Sequence, residues 1–263
     1  AFVAPPGMRL IVVDYSQLEI VILAHLIATL FGPEDPLVER VRAGKDIHGP
    51  LARTVFGELA GDEAVKAAAD ADFKKVPLLK LYRDLAKAGI YGNNYGKGER
   101  GFATSVFLPT GEPLGPERSG LLVRGMRVAF PGTFRYQDFV REWITREGFI
   151  ATLFGRYQPL PNARSPKQGW RNRAWRQALN YPMQGGGQEI MALALIMAMA
   201  DGLLTSLGFV LSLVVHDEIV GWAPEATAED ARKRLEEIMV NAVELLAPLK
   251  AEGHTGPNWK DAK

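Results

Sequence analysis

Four consecutive apolar residues, Leu10, Ile11, Val12 and Val13, three of them β-branched, predict a buried strand that ends on Asp14. Residues 18–31 then keep a continuous helical character up to Gly32-Pro33. Residues 33–50 mix Pro, Gly and charge and predict a loop, with short helices over about 50–56 and, in an Ala-rich stretch, 63–73. Residues 81–96 predict a helix whose end is marked by Gly92 and Gly96. Residues 101–120, punctuated by Pro109, Gly111, Pro113, Gly115 and Pro116, predict a long irregular connection, followed by helical segments around 117–129 and 133–147. Gly155, Pro159 and Pro161 predict a hairpin or loop, and residues 168–200 a helix broken at Pro182 and at Gly185-Gly186-Gly187. Residues 209–222 alternate as two apolar strands about a polar tip, His216-Asp217-Glu218, and residues 225–248 read as one amphipathic helix. No internal repeat or low-complexity tract interrupts this order.

Composition narrows the class without choosing the chemistry. A chain of 263 residues buries a full core and holds one large or two smaller domains. No apolar run approaches the ~20 residues of a membrane span, and no basic stretch precedes an apolar one at the N-terminus. With no cysteine, disulfides and thiolate chemistry are excluded. The net charge of +1 hides an uneven distribution. Residues 71–100 carry Lys74, Lys75, Lys80, Arg83, Lys87, Lys97 and Arg100 against Asp72, Asp84 and Glu99. Residues 156–176 carry Arg156, Arg164, Lys167, Arg171, Arg173 and Arg176 against no acid. Either run alone reads as a solvated face; both together, interleaved with Tyr, Trp and Gly, point to a polyanion.

Candidate chemistry gathers at four places. Asp14 ends the first strand and Glu19 follows five residues later; as metal ligand or as cap of the helix beginning near Leu18, Asp14 fits equally well on local grounds. Asp217 likewise ends an apolar strand, and three ionisable residues in one hairpin tip are a poor turn for stability. If the two strands are neighbours, Asp14 and Asp217 could hold two Mg²⁺ ions about 3.5–4 Å apart. Arg83, Lys87 and Tyr91 recur every fourth residue, so a helix lines them along one face, suited to a triphosphate and its base or to nothing beyond solvent. Arg176, Asn180 and Gln184 repeat that spacing with good hydrogen-bonding groups. The three glycines at 185–187 lack the Lys-Ser/Thr of a phosphate loop.

These residues also carry a resemblance. Asp14-Tyr15-Ser16-Gln17-Leu18-Glu19 resembles motif A of the DNA polymerase I family (family A), Arg83-x3-Lys87-x3-Tyr91-Gly92-x2-Tyr95-Gly96 resembles its motif B, and Val215-His216-Asp217-Glu218 its motif C. Lys45-Asp46-Ile47-His48, Pro182-Met183-Gln184-Gly185 and the closing Asn258-Trp259 match in the same order, while residues 101–150 match poorly.

The resemblance implies an enzyme: a DNA-directed DNA polymerase, a nucleotidyltransferase adding dNMP to a primer 3′-OH by two-metal chemistry. It implies Mg²⁺ as the two ions, with Mn²⁺ as a substitute. Asp14 and Asp217 would be the metal-binding catalytic pair, the Tyr15 carbonyl a further ligand, and Glu218 an auxiliary near the primer end. Glu19 would gate against a ribose 2′-OH. Arg83 and Lys87 would bind the triphosphate, with Lys87 protonating the leaving pyrophosphate. Tyr91 would lie against the incoming sugar and base, and His48 against the phosphates. Tyr95 would hold the template-base position, while Arg176, Asn180, Gln184 and His216 would contact the primer–template duplex. Many family members have Phe at Tyr91 and Gln at Val214. Tyr91 therefore implies weak discrimination against dideoxynucleotides, and Val214 a missing minor-groove contact.

The implied fold is α+β: a small antiparallel palm sheet with a mostly helical fingers subdomain, an incomplete right hand without the thumb. Its expected division is residues 1–30 palm, 31–165 fingers and 166–263 palm. Primer–template DNA and dNTPs are the expected partners, with an upstream thumb or exonuclease portion in cis or as a separate chain, no membrane, and a cytoplasmic setting in a bacterial or virus-infected cell. The chain begins just before motif A at Ala1, which suggests the C-terminal part of a polymerase. The alternative reading is a DNA-binding half of a split replicase, catalytically dependent on that upstream partner. A related single-subunit RNA polymerase or reverse transcriptase is disfavoured by Glu19 and the motif B spacing.

Overall fold

The computed structural model describes residues 2–262. In chain order the elements begin with β1 (Met8–Tyr15), α1 (Leu18–Phe31), α2 (Pro36–Arg42) and α3 (His48–Ala52), which runs on into a π-helical stretch, Arg53–Leu59. Next come α4 (Glu63–Ala67), a 3-10 segment at Asp70–Lys74, α5 (Pro77–Asn94), α6 (Glu99–Ser105), α7 (Gly115–Ala129) and α8 (Pro131–Glu147). The hairpin β2 (Phe149–Ala151) and β3 (Tyr157–Pro159) and a 3-10 turn, Pro161–Arg164, lead to α9 (Gln168–Ala200) and α10 (Gly202–Ser206). The chain closes with β4 (Val210–Val215), β5 (Glu218–Pro224), α11 (Ala228–Val240) and β6 (Ala251–Gly256). Two units result, one formed by residues 1–22 and 183–263 and the other by residues 23–182, with the boundaries inside α1 and α9.

The first unit holds an antiparallel sheet in the order β4-β5-β1-β6. β1 lies inside it, which is why residues 10–13 are apolar on both faces of the strand. Leu10 and Val12 pack with Val220, Ala262 and Trp259. Tyr15 lies on the other face, where its hydroxyl donates to the Met239 carbonyl of α11 at 2.6 Å. Burial pushes the Tyr15 phenol well above its ordinary value, so it stays a neutral donor. Each fully buried Leu, Ile or Val contributes on the order of 1.5–3 kcal/mol. β1 is therefore a stiff base for what stands at its end.

The second unit is helical apart from the β2–β3 hairpin and an isolated bridge between Phe107 and Pro113. Its core includes Val55, Phe73, Phe102 and Val140, with Phe56 stacked on Tyr82 at 4.2 Å. No helix among the described residues is long and apolar enough to cross a membrane.

Several elements depart from the sequence expectation, each for a local reason. Residues 33–50 contain α2 because Asp35 caps it, accepting from the Leu37 amide at 3.0 Å, and Pro36 sits in its first turn. Pro and charge there start a helix instead of preventing one. The 63–73 helix is split, because Ala68 turns extended after α4. Residues 101–120 hold α6 and the start of α7, where Pro116 again occupies the first turn. α9 runs through Pro182 and the three glycines unbroken; the proline omits one hydrogen bond and the helix continues. The 225–248 helix stops at Val240. Beyond it, residues 251–256 pair with β1 as β6, a strand whose Ala-Glu-Gly-His-Thr-Gly sequence has almost no strand signal.

Candidate functional site

In the first unit, backbone geometry gathers the carboxylates. Asp14, on the last turn of the β1 ladder, stands directly opposite Glu218 at the start of β5. Asp217 occupies the two-residue tip between β4 and β5, and its carbonyl accepts from the Tyr15 amide at 3.0 Å. That bond ties the hairpin tip to the end of β1. Asp14 is exposed, Asp217 half-buried and Glu218 only 5% exposed. Glu218 is held from behind by the Trp259 indole, whose N–H donates to its Oε1 at 2.8 Å. His216, beside Asp217, has φ +57°, a left-handed conformation that a non-glycine residue adopts at a cost of about 1–2 kcal/mol. Gln17, before α1, has φ +58°, and Glu19 sits half-buried in the first turn of α1.

The donor set here is oxygen only: two accessible carboxylates, Asp14 and Asp217, and the main-chain carbonyl of Tyr15. Among the described residues no group of three or more His, Cys, Asp or Glu is placed to cage a metal. A hard cation that keeps several waters and takes one or two carboxylates, as Mg²⁺ does, fits such a set; one that demands nitrogen or sulfur ligands does not.

In the second unit, α5 displays Arg83, Lys87 and Tyr91 on successive turns. Val76 and Pro77 start this helix without a side-chain cap, and Tyr95 ends it. The Arg83 guanidinium is gripped by Asp46 through Nη2 to Oδ1 at 2.8 Å and Nε to Oδ2 at 3.3 Å. The buried His48 lies alongside, with Nδ1 3.4 Å from Asp46 Oδ1, an electrostatic contact without hydrogen-bond alignment. The His48 ring is parallel to that of Tyr91 within 17°, their centroids 6.3 Å apart. Lys87 Nζ stands 5.9 Å from the Tyr91 ring centroid. Four of the sequence-selected residues thus form one cluster.

A cavity of about 660 Å³ opens at the end of α5, lined by Tyr91, Tyr95, Lys97, Ser105 and Arg176. Gly96 is essential to its wall. The residue has φ +73°, and a Cβ there would meet Trp175 Cζ3 at 2.9 Å. Arg176 lies on α9 with Asn180 and Gln184 at the following turns. The basic run 156–176 is partly structural: Arg164 donates to the Thr145 carbonyl at 2.6 Å, and Arg171 to the Ser165 and Pro166 carbonyls at 2.7 and 2.9 Å. His25, half-buried on α1, has its pKa lowered by burial, as befits a packing histidine.

Sequence reasoning passed over Asp46, Lys97, Ser105 and Trp259 as individual contributors. Asp46 stood two residues before His48, and that spacing was the available signal; Lys97 was visible only as one cation of the 71–100 run, and its bond to Ser105 at 2.8 Å, which spans α6, had no signal.

Comparison with known proteins gives this geometry a family. The model of DNA polymerase family A matches residues 1–261. The chain is similar to DNA polymerase I of Chloroflexus aurantiacus, 32% identical over 99% of this chain and 25% of that protein. It is also similar to DNA polymerase I of Deinococcus radiodurans, 32% identical over 100% of this chain and 24% of that protein. The chain thus spans about a quarter of the length of these curated relatives. Among solved structures, the POL domain of Pol1 from M. smegmatis, in complex with DNA primer-template and dNTP, superposes with a TM-score of 0.80 at 28% identity, covering 100% of this chain and 42% of that one. Motifs, mixed helical and antiparallel architecture and a match over almost every residue agree, and the chain belongs to DNA polymerase family A.

Proposed function

We propose that this chain carries out DNA-templated DNA synthesis, adding dNMP to a primer 3′-OH with two Mg²⁺ ions, Mn²⁺ substituting. One observation carries the reading: in a family A chain, the β1–β5 register puts Asp14 opposite Glu218 while the Tyr15 amide holds Asp217 at the adjoining tip. Side-by-side carboxylates repel one another, and a divalent cation relieves that repulsion. Asp14, Asp217 and the Tyr15 carbonyl are the ligands in this reading, and Glu218 assists near the primer end. The metal ions supply charge neutralisation at the phosphates and a more nucleophilic 3′-oxygen.

The remaining roles are assigned to the chain's own groups. Arg83, Lys87 and His48 bind the triphosphate, and Lys87 delivers a proton to the leaving pyrophosphate. Tyr91 packs against the incoming sugar and base. Glu19 excludes the ribose 2′-OH, so deoxynucleotides are preferred. Tyr95 holds the template-base position, and Arg176, Asn180, Gln184 and His216 contact the duplex. The sheet-bearing unit serves as palm and the helical unit as fingers.

Primer extension with Mg²⁺, comparing dNTP with NTP and the parent with Asp217→Ala, tests the reading. The parent is expected to incorporate dNTPs and Asp217→Ala to lose incorporation; synthesis that survives the substitution would overturn the metal assignment. A second reading is favoured by the length comparison, since the curated relatives are about four times longer. In it, the chain synthesises DNA only together with a further portion such as those relatives carry. Extension that appears on adding such a portion, and not before, is its signature.

A further inference from the structure

We propose that Asp46 is a positioning residue for nucleotide binding, its carboxylate orienting the Arg83 guanidinium and the His48 ring for a nucleoside triphosphate. This rests on the reading of Arg83 and His48 as triphosphate contacts.

The geometry of the fork carries the argument. Arginine offers five N–H donors on a planar group, and a carboxylate that takes one edge fixes the plane. Asp46 takes the Nε–Nη2 edge, at 3.3 and 2.8 Å. Nη1 has no part in the pair and remains available to a phosphate oxygen. A carboxylate across the Nη1–Nη2 end would instead have occupied the position a phosphate needs. The partner on the other side is His48, whose Nδ1 lies 3.4 Å from the same Asp46 oxygen that Arg83 Nη2 binds. His48 is only 2% exposed, and its Nε2 has no hydrogen-bond partner among the described residues. A buried ring nitrogen without a partner is costly, and an anionic oxygen within reach would relieve that cost.

Asp46 is itself built in. The Gly49 amide donates to its Oδ2 at 2.8 Å, and Arg40 Nη1 donates to its main-chain carbonyl at 3.1 Å. Gly49 is required for this arrangement, because a Cβ at that position would stand 2.8 Å from Asp46 Oδ2. Burial alone would raise the Asp46 pKa. The contacts with His48, Arg83 and the Gly49 amide, together with the Arg83 charge, outweigh it and hold the carboxyl well below the usual range. The anion is therefore present throughout the physiological range. Arg83 and Asp46 are each about one-fifth exposed, so the pair is sheltered enough to hold its geometry and open enough to be reached.

The test is a double-mutant cycle on the 263-residue chain, titrating Mg²⁺ and the next correct dNTP onto the chain bound to a dideoxy-terminated primer–template. Arg83→Ala is expected to weaken dNTP binding at least tenfold. Asp46→Asn, which keeps the shape and removes the charge, is expected to weaken it about tenfold, with a lowered melting temperature but a chain still folded at the temperature of the titration. Combined, the two are expected to lose clearly less affinity than the product of the two single effects, because with the guanidinium gone the carboxylate orients only the His48 ring. Arg83→Lys, which keeps the charge but cannot be gripped along an edge, is expected to behave like Asp46→Asn.

The outcomes separate the two claims. If the parent does not bind dNTP even with the further portion of a relative added, or Arg83→Ala leaves binding unchanged, the triphosphate site falls and the positioning role with it. If Arg83→Ala weakens binding and Asp46→Asn does not, only the positioning role falls. An equal further loss from Asp46→Asn in the Arg83→Ala background also overturns it, since Asp46 would then be a scaffold acting independently of the arginine. Should Asp46→Asn fail to fold, the Arg83→Lys result decides: full affinity would mean that an edge-gripped guanidinium is not needed.

Discussion

The two clusters are built on opposite principles. In the sheet corner, main-chain bonds set the positions: cross-strand register places Asp14 beside Glu218, and the Tyr15 amide holds the Asp217 carbonyl at 3.0 Å. The carboxylates are short side chains with little freedom left once the backbone is placed. On α5 the functional groups sit at the ends of long side chains, and other side chains hold them: Asp46 grips Arg83, and the Tyr91 ring lies under Lys87 and beside His48. In the proposed reading the corner keeps like charges close, which a stiff backbone frame favours, and the α5 cluster takes up and releases a polyanion, which adjustable cations on a preformed helix favour.

The sharpest way to break this contrast is Asp14→Asn. If the corner owes its geometry to the backbone, the variant should melt like the parent and still lose nucleotide incorporation by at least about a thousandfold, because one charge of the proposed metal site is gone. Primer extension paired with thermal unfolding reads both. A large drop in melting temperature would show that the carboxylate helps to hold the sheet. Retained incorporation would remove Asp14 from the chemistry.

The helical cluster should respond in smaller steps. The resemblance implies weak discrimination against dideoxynucleotides, which follows if the Tyr91 hydroxyl, packed against the incoming sugar in the proposed reading, stands in for the 3′-OH that a dideoxynucleotide lacks. Tyr91→Phe should therefore raise discrimination against terminators by about tenfold, the scale of one hydrogen bond, with little change in dNTP use. Competition between dNTP and ddNTP in a single extension reaction measures it. Unchanged terminator incorporation would sink the assignment.

Acid should also separate the regions. The Asp46 carboxyl sits well below its ordinary value of 3.8, so its contribution to stability is complete above about pH 4 and fades as the pH falls further. Hydrogen exchange at the Gly49 amide and along α5, corrected for intrinsic rates, should lose protection between about pH 4 and pH 2 in the parent. Asp46→Asn should show low protection that hardly changes over that interval. A parent profile as flat as the variant's would contradict the pairing.

The same contrast explains what the sequence could reveal. Each half of the corner was legible because its strand is local, apolar residues leading to a carboxylate, while the pairing that brings Asp14 beside Glu218 joins distant residues and was reached only through the motif resemblance. Spacing also placed Arg83, Lys87 and Tyr91 on one helix face, since helix geometry is local too. Asp46, 37 residues from Arg83, was not individually legible, because its role depends on how the 46–49 segment docks against α5. β6 was missed for a related reason. Residues 251–256 pair with β1 because the existing strand and α11 cover them, a tertiary cause that overrides weak propensity. Pro36 and Pro116 misled in the other direction, since proline ends one helix and opens the next.

The smallest effect tests the stiffness of the corner itself. His216 holds φ at +57° in the two-residue tip, where the conformation costs about 1–2 kcal/mol for a side chain with a Cβ. Glycine would remove that cost but loses about 0.5–1 kcal/mol more entropy on folding, so His216→Gly should stabilise the chain by only about 0.5 kcal/mol. His216→Ala keeps the strain and should not stabilise. Both variants lack the imidazole, so both should bind primer–template more weakly if His216 touches the duplex, and only the glycine variant should gain stability. Urea unfolding followed by tryptophan emission, beside DNA titration, separates the two effects. If glycine brings no gain over alanine, the tip is not strained. If DNA affinity is unchanged in both, the left-handed turn serves only to aim Asp217.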